Sequence, residues 1–176
     1  MDVMEPTRRR QGSKEVNILI TGHKGYIGSV LTEVLIRQSY TVLGYDTDYY
    51  AGCEVTSLPQ PSREIKKDIR DVTVEDLRGI DAVIHLAALS NDPLGELDSR
   101  LTDDINLQGT FKLARCAREA GVKRFIFSSS PSMYGIAKAD GELDEDHSEK
   151  NPLTAYAKTK WEAECDLKKL SSIIKK

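Results

Sequence analysis

The segment Gly22–Gly28 limits the choice of fold more than any other part of this sequence. It places glycines at positions 22, 25 and 28, directly after the apolar run Val16–Thr21. The stretch Tyr26–Arg37 then has the apolar spacing of a helix. A tight glycine turn between a buried strand and a helix predicts the first half of a β-α-β unit.

The same alternation of short apolar runs and amphipathic stretches continues along the chain. It predicts strands at Thr41–Tyr45, Glu64–Asp68, Asp81–Leu86 and Val122–Phe127, and helices at Thr73–Arg78, Leu94–Ala120 and Thr154–Leu170. We expect Val122–Phe127 to be buried on both faces and Glu64–Asp68 to lie near a sheet edge. Right-handed crossovers between such strands predict an α/β fold, a doubly wound parallel sheet with helices on both faces.

Length and composition exclude several classes of protein. The 176 residues fit one domain, and no apolar run approaches the roughly 18 residues of a membrane-spanning helix. The net charge of −3 gives no reason to expect a nucleic-acid or membrane partner. Three dispersed cysteines exclude a disulfide framework and indicate a reducing compartment, so we expect a cytoplasmic protein. The three histidines are also dispersed, and we expect no metal site.

The glycine turn is a candidate binding site because ligands of a doubly wound sheet lie beyond the carboxyl ends of its strands. Gly22 permits a tight turn, Gly25 lets a pyrophosphate approach the backbone, and Gly28 allows the helix to pack closely on the sheet. The start of the helix offers free N–H groups and a partial positive charge to phosphates. We therefore predict that this turn binds a dinucleotide.

Asp46 follows the second predicted strand and is the carboxylate that we expect to bind the adenosine ribose hydroxyls. Its charge would repel a 2′-phosphate, which favours NAD over NADP. Asp48 is close enough in sequence to take the same role, and Lys24 in the glycine turn is a cation that could meet a 2′-phosphate. The sequence favours NAD and leaves NADP open.

The last predicted helix places Tyr156 and Lys160 one turn apart, on a face shared with Ala163, Leu167 and Leu170 that we expect to pack on the domain. An ammonium at that distance favours the phenolate of a tyrosine, which can then act as a base. Ser128–Ser130 places hydroxyls at the same rim of the sheet, where one can hydrogen-bond a substrate oxygen. The same pattern also fits a surface lysine with a buried stem and a polar strand end.

Taken in order, these motifs resemble the NAD-dependent epimerase/dehydratase family of extended short-chain dehydrogenases/reductases. The resemblance extends from about Asn17 to Leu170. Besides the glycine turn, it rests on Asp68-Ile69-x-Asp71, His85-Leu86-Ala87-Ala88, Ile105-Asn106-x-x-Gly109-Thr110, Ser130 ahead of Tyr134-Gly135, Asn151-Pro152-Leu153 and Tyr156-x-x-x-Lys160.

The resemblance implies a Rossmann fold and an enzyme that moves hydride between a sugar nucleotide and NAD through a transient keto-sugar. It implies Tyr156 as the acid/base, Lys160 as the residue that holds the nicotinamide ribose, and Ser130 as the residue that orients a sugar hydroxyl. It also implies a homodimer. The implied cofactor-binding residues are Gly22, Gly25, Tyr26, Ile27, Gly28, Asp46, Asp68, Ile69, Leu86, Ala87, Ala88, Asn106, Tyr156 and Lys160.

The resemblance also separates the reactions of the family. Its dehydratases carry an Asp–Glu pair directly after the catalytic serine or threonine, whereas this sequence has Pro131 and Ser132. An epimerase is therefore favoured. Alternatives are a catalytically silent NAD(P)-binding module and a reductase or dehydrogenase of a different alcohol or ketone.

Family members continue beyond the catalytic helix into a substrate domain. We therefore expect a disordered leader over residues 1–14 and a Rossmann domain over residues 15–176 that is truncated at its C-terminus. We expect the chain to be a fragment, or a short form that binds NAD with little turnover.

Overall fold

The apolar run before the glycine turn forms the central strand of a parallel sheet. The computed structural model describes residues 16–53, 57–90, 92–136 and 142–172, so the predicted leader lies outside the described residues. The described chain contains five strands, in the order β3-β2-β1-β4-β5 across the sheet. Their bounds are Asn17–Thr21 (β1), Thr41–Asp46 (β2), Arg63–Lys66 (β3), Ala82–His85 (β4) and Arg124–Phe127 (β5).

Helices connect these strands and flank the sheet. The described α-helices are Tyr26–Arg37 (α1), Asp92–Leu97 (α2), Ser99–Asp103 (α3), Thr110–Glu119 (α4) and Ala155–Ser172 (α5). A wider, π-helical turn at Asp104–Gly109 joins α3 to α4, and 3₁₀ turns lie at Ile69–Asp71, Glu75–Leu77 and Pro131–Tyr134. None of the described helices is long and apolar enough to cross a membrane. The doubly wound α/β fold predicted from the sequence is confirmed.

Two predicted helices differ from the structure. The predicted helix Leu94–Ala120 is interrupted at Asp98, whose backbone is extended and whose carboxylate caps α3 by accepting hydrogen bonds from two backbone N–H groups. The predicted helix Thr73–Arg78 is only a 3₁₀ turn. The chain leaves the helical conformation at Arg78 (ψ 131°), ahead of Gly79, which has a φ of +76°.

The central strands carry the core because both of their faces are covered. Leu19 and Val83 point to one face of the sheet, where they pack with Leu113 and other residues of the loops and helices. Ile18 and Ile20 point to the opposite face, as the two-residue period of a strand requires.

The two outer strands of the described sheet are less buried than the central ones. β3 is polar and lies at one edge, as predicted. The prediction that β5 is buried on both faces is wrong, because β5 lies at the other edge and Ile126 is 51% exposed.

The core predicts a clear contrast between two leucines. Leu113→Ala should lower the free energy of unfolding by about 2–5 kcal/mol, because Leu113 is fully buried and its truncation leaves a cavity. Leu97→Ala is the control, since Leu97 is 81% exposed, and it should change stability by less than about 0.5 kcal/mol. Urea unfolding followed by circular dichroism measures both, and equal losses would contradict the described core.

Candidate active site

The glycine turn brings backbone segments into contact that side chains would keep apart. Gly22 has a φ of +72°, and its N–H donates to the carbonyl oxygen of Tyr45 at 2.8 Å. A Cβ atom on Gly22 would lie 2.8 Å from the backbone nitrogen of Ala87, and a Cβ atom on Gly28 would overlap the carbonyl oxygen of Gly22. α1 therefore begins directly against the ends of β1 and β4.

The start of α1 fits the pyrophosphate of a dinucleotide. Gly25 is the N-cap residue, no described side chain caps the first turn, and that turn contains no acidic residue. Its N–H groups are donors that an anionic ligand can use. Tyr26 and Ile27 in this turn are exposed by 93% and 61%.

Asp46 is oriented at the end of β2 by two backbone groups. One carboxylate oxygen accepts from the N–H of Lys24 at 3.1 Å, and the other accepts from the N–H of Asp48 at 2.8 Å. A carboxylate has about four lone-pair sites, so Asp46 keeps acceptor capacity for ribose hydroxyls. The carboxylate of Asp48 is instead engaged by the ammonium of Lys24 at 3.0 Å. This difference favours Asp46 over Asp48 for the predicted role.

Three other predicted cofactor-binding residues have partners within the protein. The Asp68 carboxylate makes two hydrogen bonds to the Arg70 guanidinium, at 3.0 and 2.8 Å, and these lower the pKa of Asp68. Ile69 is buried in the core. The Asn106 amide is 1% exposed, and it accepts from the N–H and donates to the carbonyl of Leu89. Asn106 thus fixes the loop after β4, and cofactor contacts of these residues stay predictions.

A buried hydrogen-bond chain that the sequence analysis missed ties β1, β4 and α4 together. His85 at the end of β4 is 1% exposed. Its Nδ1 lies 2.6 Å from the Thr21 hydroxyl, and its Nε2 lies 2.8 Å from the Thr110 hydroxyl. The sequence does place a threonine or a histidine at each of these element ends. It does not show that they are in contact, because Thr21 and His85 are 64 positions apart in the chain.

The hydroxyl partners determine which nitrogen of His85 carries the proton. Thr110 donates its own proton to the carbonyl of Asn106 at 2.6 Å, so it accepts from Nε2–H of His85. Nδ1 then accepts from the hydroxyl of Thr21. Burial, with a smaller effect of the Lys160 charge, lowers the pKa of His85 to about 3. His85 is therefore neutral at physiological pH.

The loop after β4 joins this hydrogen-bond chain. The Thr21 hydroxyl oxygen accepts from the backbone N–H groups of Leu86 and Ala87, both at 3.2 Å. Leu86, Ala87 and Ala88 are all half-buried. The loop predicted to line the cofactor therefore lies beside the glycine turn.

Tyr156 and Lys160 are brought together on α5, as their spacing predicted. Lys160 is 4% exposed, and its ammonium donates to the carbonyl of Ser128 at 2.8 Å. The ammonium lies 5.9 Å from the centre of the Tyr156 ring and 4.7 Å from that of Phe127. Burial lowers the pKa of Lys160 to about 8. The buried face of α5 continues through Ala163.

Ser130 lies at the carboxyl end of β5, at the same rim of the sheet. Its hydroxyl oxygen is 2.8 Å from the Ser132 hydroxyl and accepts from the N–H of Ser132 at 3.3 Å. Ser130 also lines an open pocket of about 280 Å³ together with Met133, Tyr134 and Glu164. Ser130 thus lies at the border of a cavity at the end of β5.

Glu96 is a further residue that the sequence analysis missed. Its carboxylate accepts from the N–H of Ala155, the first residue of α5, at 2.7 Å. The hydroxyl of Thr154 accepts from the N–H of Ala157 at 3.1 Å. Together they determine where α5 begins, one residue before Tyr156. No local pattern links Glu96 to a helix start 59 residues away.

The parallel doubly wound sheet, the uncapped glycine turn and the Tyr–Lys pair define a Rossmann-fold domain of the short-chain dehydrogenase/reductase type. Residues 18–172 match the model of the NAD dependent epimerase/dehydratase family, and the chain belongs to this family. The family predicted from the sequence motifs is therefore confirmed. The described residues contain no group of His, Cys, Asp or Glu side chains that could hold a metal ion.

The curated relatives of this chain include both epimerases and dehydratases. The chain is 33% identical over 153 residues to N-acetyl-alpha-D-glucosaminyl-diphospho-ditrans,octacis-undecaprenol 4-epimerase of Escherichia coli O157:H7. It is 34% identical over 164 residues to dTDP-D-glucose 4,6-dehydratase of Mus musculus. These matches cover 84% and 88% of this chain but 41% and 46% of those proteins, so the chain spans less than half of their length.

A solved structure with bound ligands is also similar. It is the UDP-glucose-4-epimerase of Stenotrophomonas maltophila with bound NAD and formylated UDP-arabinopyranose. The TM-score is 0.80 at 27% identity, and the match covers 90% of this chain and 49% of that one. The similarity thus includes nearly all of the described domain.

The buried ammonium predicts a pH dependence of stability. The pKa of Lys160 is about 8 in the folded chain and 10.5 ordinarily, so between these pH values the unfolded chain binds more protons. The wild-type chain should therefore gain stability relative to Lys160→Met as pH rises from 8 to 10.5, by up to about 3 kcal/mol. Denaturant unfolding at several pH values measures this gain.

Lys158→Met on the exposed face of α5 is the matched control and should show no such trend. A constant difference between the wild type and Lys160→Met across this range would contradict the buried state of the ammonium.

The His85 chain predicts that a hydroxyl at position 110 is required. Thr110→Val keeps the shape but leaves Nε2–H of His85 without an acceptor, and should lower the free energy of unfolding by about 1–3 kcal/mol. Thr110→Ser retains the hydroxyl and should lose clearly less. Thermal and denaturant unfolding compare the two variants, and an equal loss would show that the hydrogen bond has no part in stability.

Proposed function

We propose that the chain binds NAD and is the cofactor-binding part of a sugar-nucleotide epimerase. The observation that carries this proposal is that Ser130, Tyr156 and Lys160 lie at the same sheet rim as the uncapped start of α1. A module that only bound a dinucleotide would need the glycine turn and Asp46 but not this trio. The intact trio therefore supports an enzyme.

In this proposal the cofactor lies across the carboxyl ends of β1, β2 and β4. The backbone at Gly22, Gly25 and Gly28 would receive the pyrophosphate, and Asp46 would bind the adenosine ribose. Lys160 would hold the nicotinamide ribose, and its ammonium would either keep or give up its hydrogen bond to the carbonyl of Ser128. The remaining contacts proposed are those of Tyr26, Ile27, Asp68, Ile69, Leu86, Ala87, Ala88, Asn106 and Tyr156.

When bound, NAD would supply a reversible hydride acceptor for a sugar carbon, so that the hydride can return to the opposite face of the transient keto-sugar. Tyr156 would take the proton of the sugar hydroxyl at that carbon and later give it back, so the reaction has no net oxidation. The ammonium of Lys160, 5.9 Å from the centre of the Tyr156 ring, would keep a positive charge near the site of proton transfer. The hydroxyl of Ser130 would hydrogen-bond the sugar oxygen during the transfer.

Residues near Ser130 support epimerisation over dehydration. Pro131 and Ser132, which follow Ser130, have no group that exchanges a proton near neutral pH. Glu164 lines the same pocket, but hydrogen bonds from Lys168 and Ser129 outweigh its burial and lower its pKa. It remains ionised and is not suited to protonate a leaving hydroxyl. A homodimer and a cytoplasmic location remain predictions.

Tyr156→Phe separates binding from chemistry. It should leave the NAD⁺ affinity of this chain within about threefold. In a protein that includes any sequence the gene encodes beyond residue 176, it should lower epimerisation by about 10²–10⁴-fold, since it removes the hydroxyl that transfers the proton. Calorimetric titration measures the affinity, and NMR detects epimerised product from UDP-glucose and dTDP-glucose. Tyr134→Phe, which removes the hydroxyl of a tyrosine that lines the pocket with Ser130, is the control.

The outcomes distinguish the candidate functions. In a protein that includes any sequence the gene encodes beyond residue 176, NAD⁺ binding without conversion of any nucleotide sugar would contradict the epimerase and favour a silent binding module. No NAD⁺ binding would contradict the proposal altogether.

A further inference from the structure

Lys24 in the glycine turn is held by two carboxylates. Its ammonium lies 2.6 Å from Oε1 of Glu64 and 3.0 Å from Oδ2 of Asp48. The hydrogen bond to Glu64 is the main cause that raises the pKa of Lys24, and it outweighs partial burial. The ammonium is therefore charged and already paired, and it is not free for another anion.

The surroundings of Lys24 carry more negative than positive charge. Asp46, at the end of β2, lies beside Asp48 and opposite Lys66 in the parallel register, and Glu64 precedes Lys66 by two residues on β3. The ammonium of Lys66 lies 3.5 Å from Asp48. Three carboxylates thus face two ammonium groups. A phosphate dianion brought to this place would be repelled and would have to displace an ion pair.

A cavity with an unused polar side chain adjoins this cluster. It has a volume of about 350 Å³ and is lined by His23, Lys24 and Glu64, with Ser57–Gln60 opposite. His23 is 3% exposed, and neither of its ring nitrogens has a hydrogen-bond partner among the described residues. The nearest carboxylates lie at 3.7 Å (Glu64) and 4.0 Å (Asp46), too far for a hydrogen bond. The cavity therefore offers space beside Lys24 and Glu64.

We propose that Glu64 and Asp48 determine cofactor selectivity by sequestering Lys24, so that the chain rejects a ribose 2′-phosphate. Neutralising both carboxylates would release Lys24 toward the cavity near Asp46, where its ammonium can bind a phosphate. The inference rests on the proposed NAD binding and adds the residues that decide between NAD and NADP. Asp46 is unchanged in this comparison, so its own repulsion of a 2′-phosphate remains.

The test compares NAD⁺ and NADP⁺ affinities by calorimetry at fixed ionic strength. The double variant Glu64→Gln/Asp48→Asn should shift the affinity ratio toward NADP⁺ by about tenfold or more, the effect of one charge-assisted hydrogen bond. Glu64→Gln alone should shift it less, in the same direction. Adding Lys24→Met to the double variant should reverse most of the shift.

Glu33→Gln/Glu75→Gln is the matched control. It removes the same charge from two exposed residues whose ion pairs, with Arg37 and Arg78, lie outside this cluster. Its affinity ratio should equal that of the wild type, and thermal unfolding confirms that each variant is folded.

The two proposals fail in different ways. The wild type and the double variant could bind NAD⁺ with the same selectivity, or the shift could survive Lys24→Met. Either result would overturn the proposed role of Glu64 and Asp48 but leave the proposed NAD binding intact. Absence of NAD⁺ binding by the wild type would overturn both proposals.

Discussion

The carboxyl edge of the sheet depends on the buried hydrogen-bond chain through His85. Both nitrogens of the buried His85 imidazole have a partner, because the hydroxyls of Thr21 and Thr110 reach them from β1 and α4. The Thr21 hydroxyl also receives N–H groups from the loop after β4. Because these contacts share atoms, the ends of two strands, a loop and a helix hold one relative position. The site is built on that arrangement.

Two lysines at this edge of the sheet, Lys160 and Lys24, have pKa values shifted in opposite directions. Lys160 is buried with one carbonyl oxygen as its hydrogen-bond acceptor, and desolvation lowers its pKa. Lys24 is paired with carboxylates, and that pairing raises its pKa. The Lys160 ammonium lies 5.9 Å from the centre of the Tyr156 ring, whereas the Lys24 ammonium lies against the carboxylates of Glu64 and Asp48. Burial and pairing thus shift the pKa values of two lysines at the same sheet edge in opposite directions.

Much of the architecture was predictable because its causes are local. α1 has the predicted bounds, since a glycine turn and apolar spacing define it within one segment. Tyr156 and Lys160 meet because a helical turn brings positions four apart together. The errors arose where a local signal competed with another. Asp98 caps a new helix inside a continuous helical pattern, and the apolar run of β5 resembles a central strand although it lies at an edge of the sheet that the described residues form.

The sequence by itself determined how strands and helices alternate along the chain, the glycine turn, the Tyr–Lys spacing and the family. Only the tertiary structure decided which side chains meet across the strand ends. The pairs Thr21–His85, Lys24–Glu64 and Glu96–Ala155 join residues from 40 to 64 positions apart in the chain. Such contacts follow from parallel crossovers that bring distant strand ends to one edge. Hydrophobic periodicity records which face of an element is buried, but not which polar atom lies opposite.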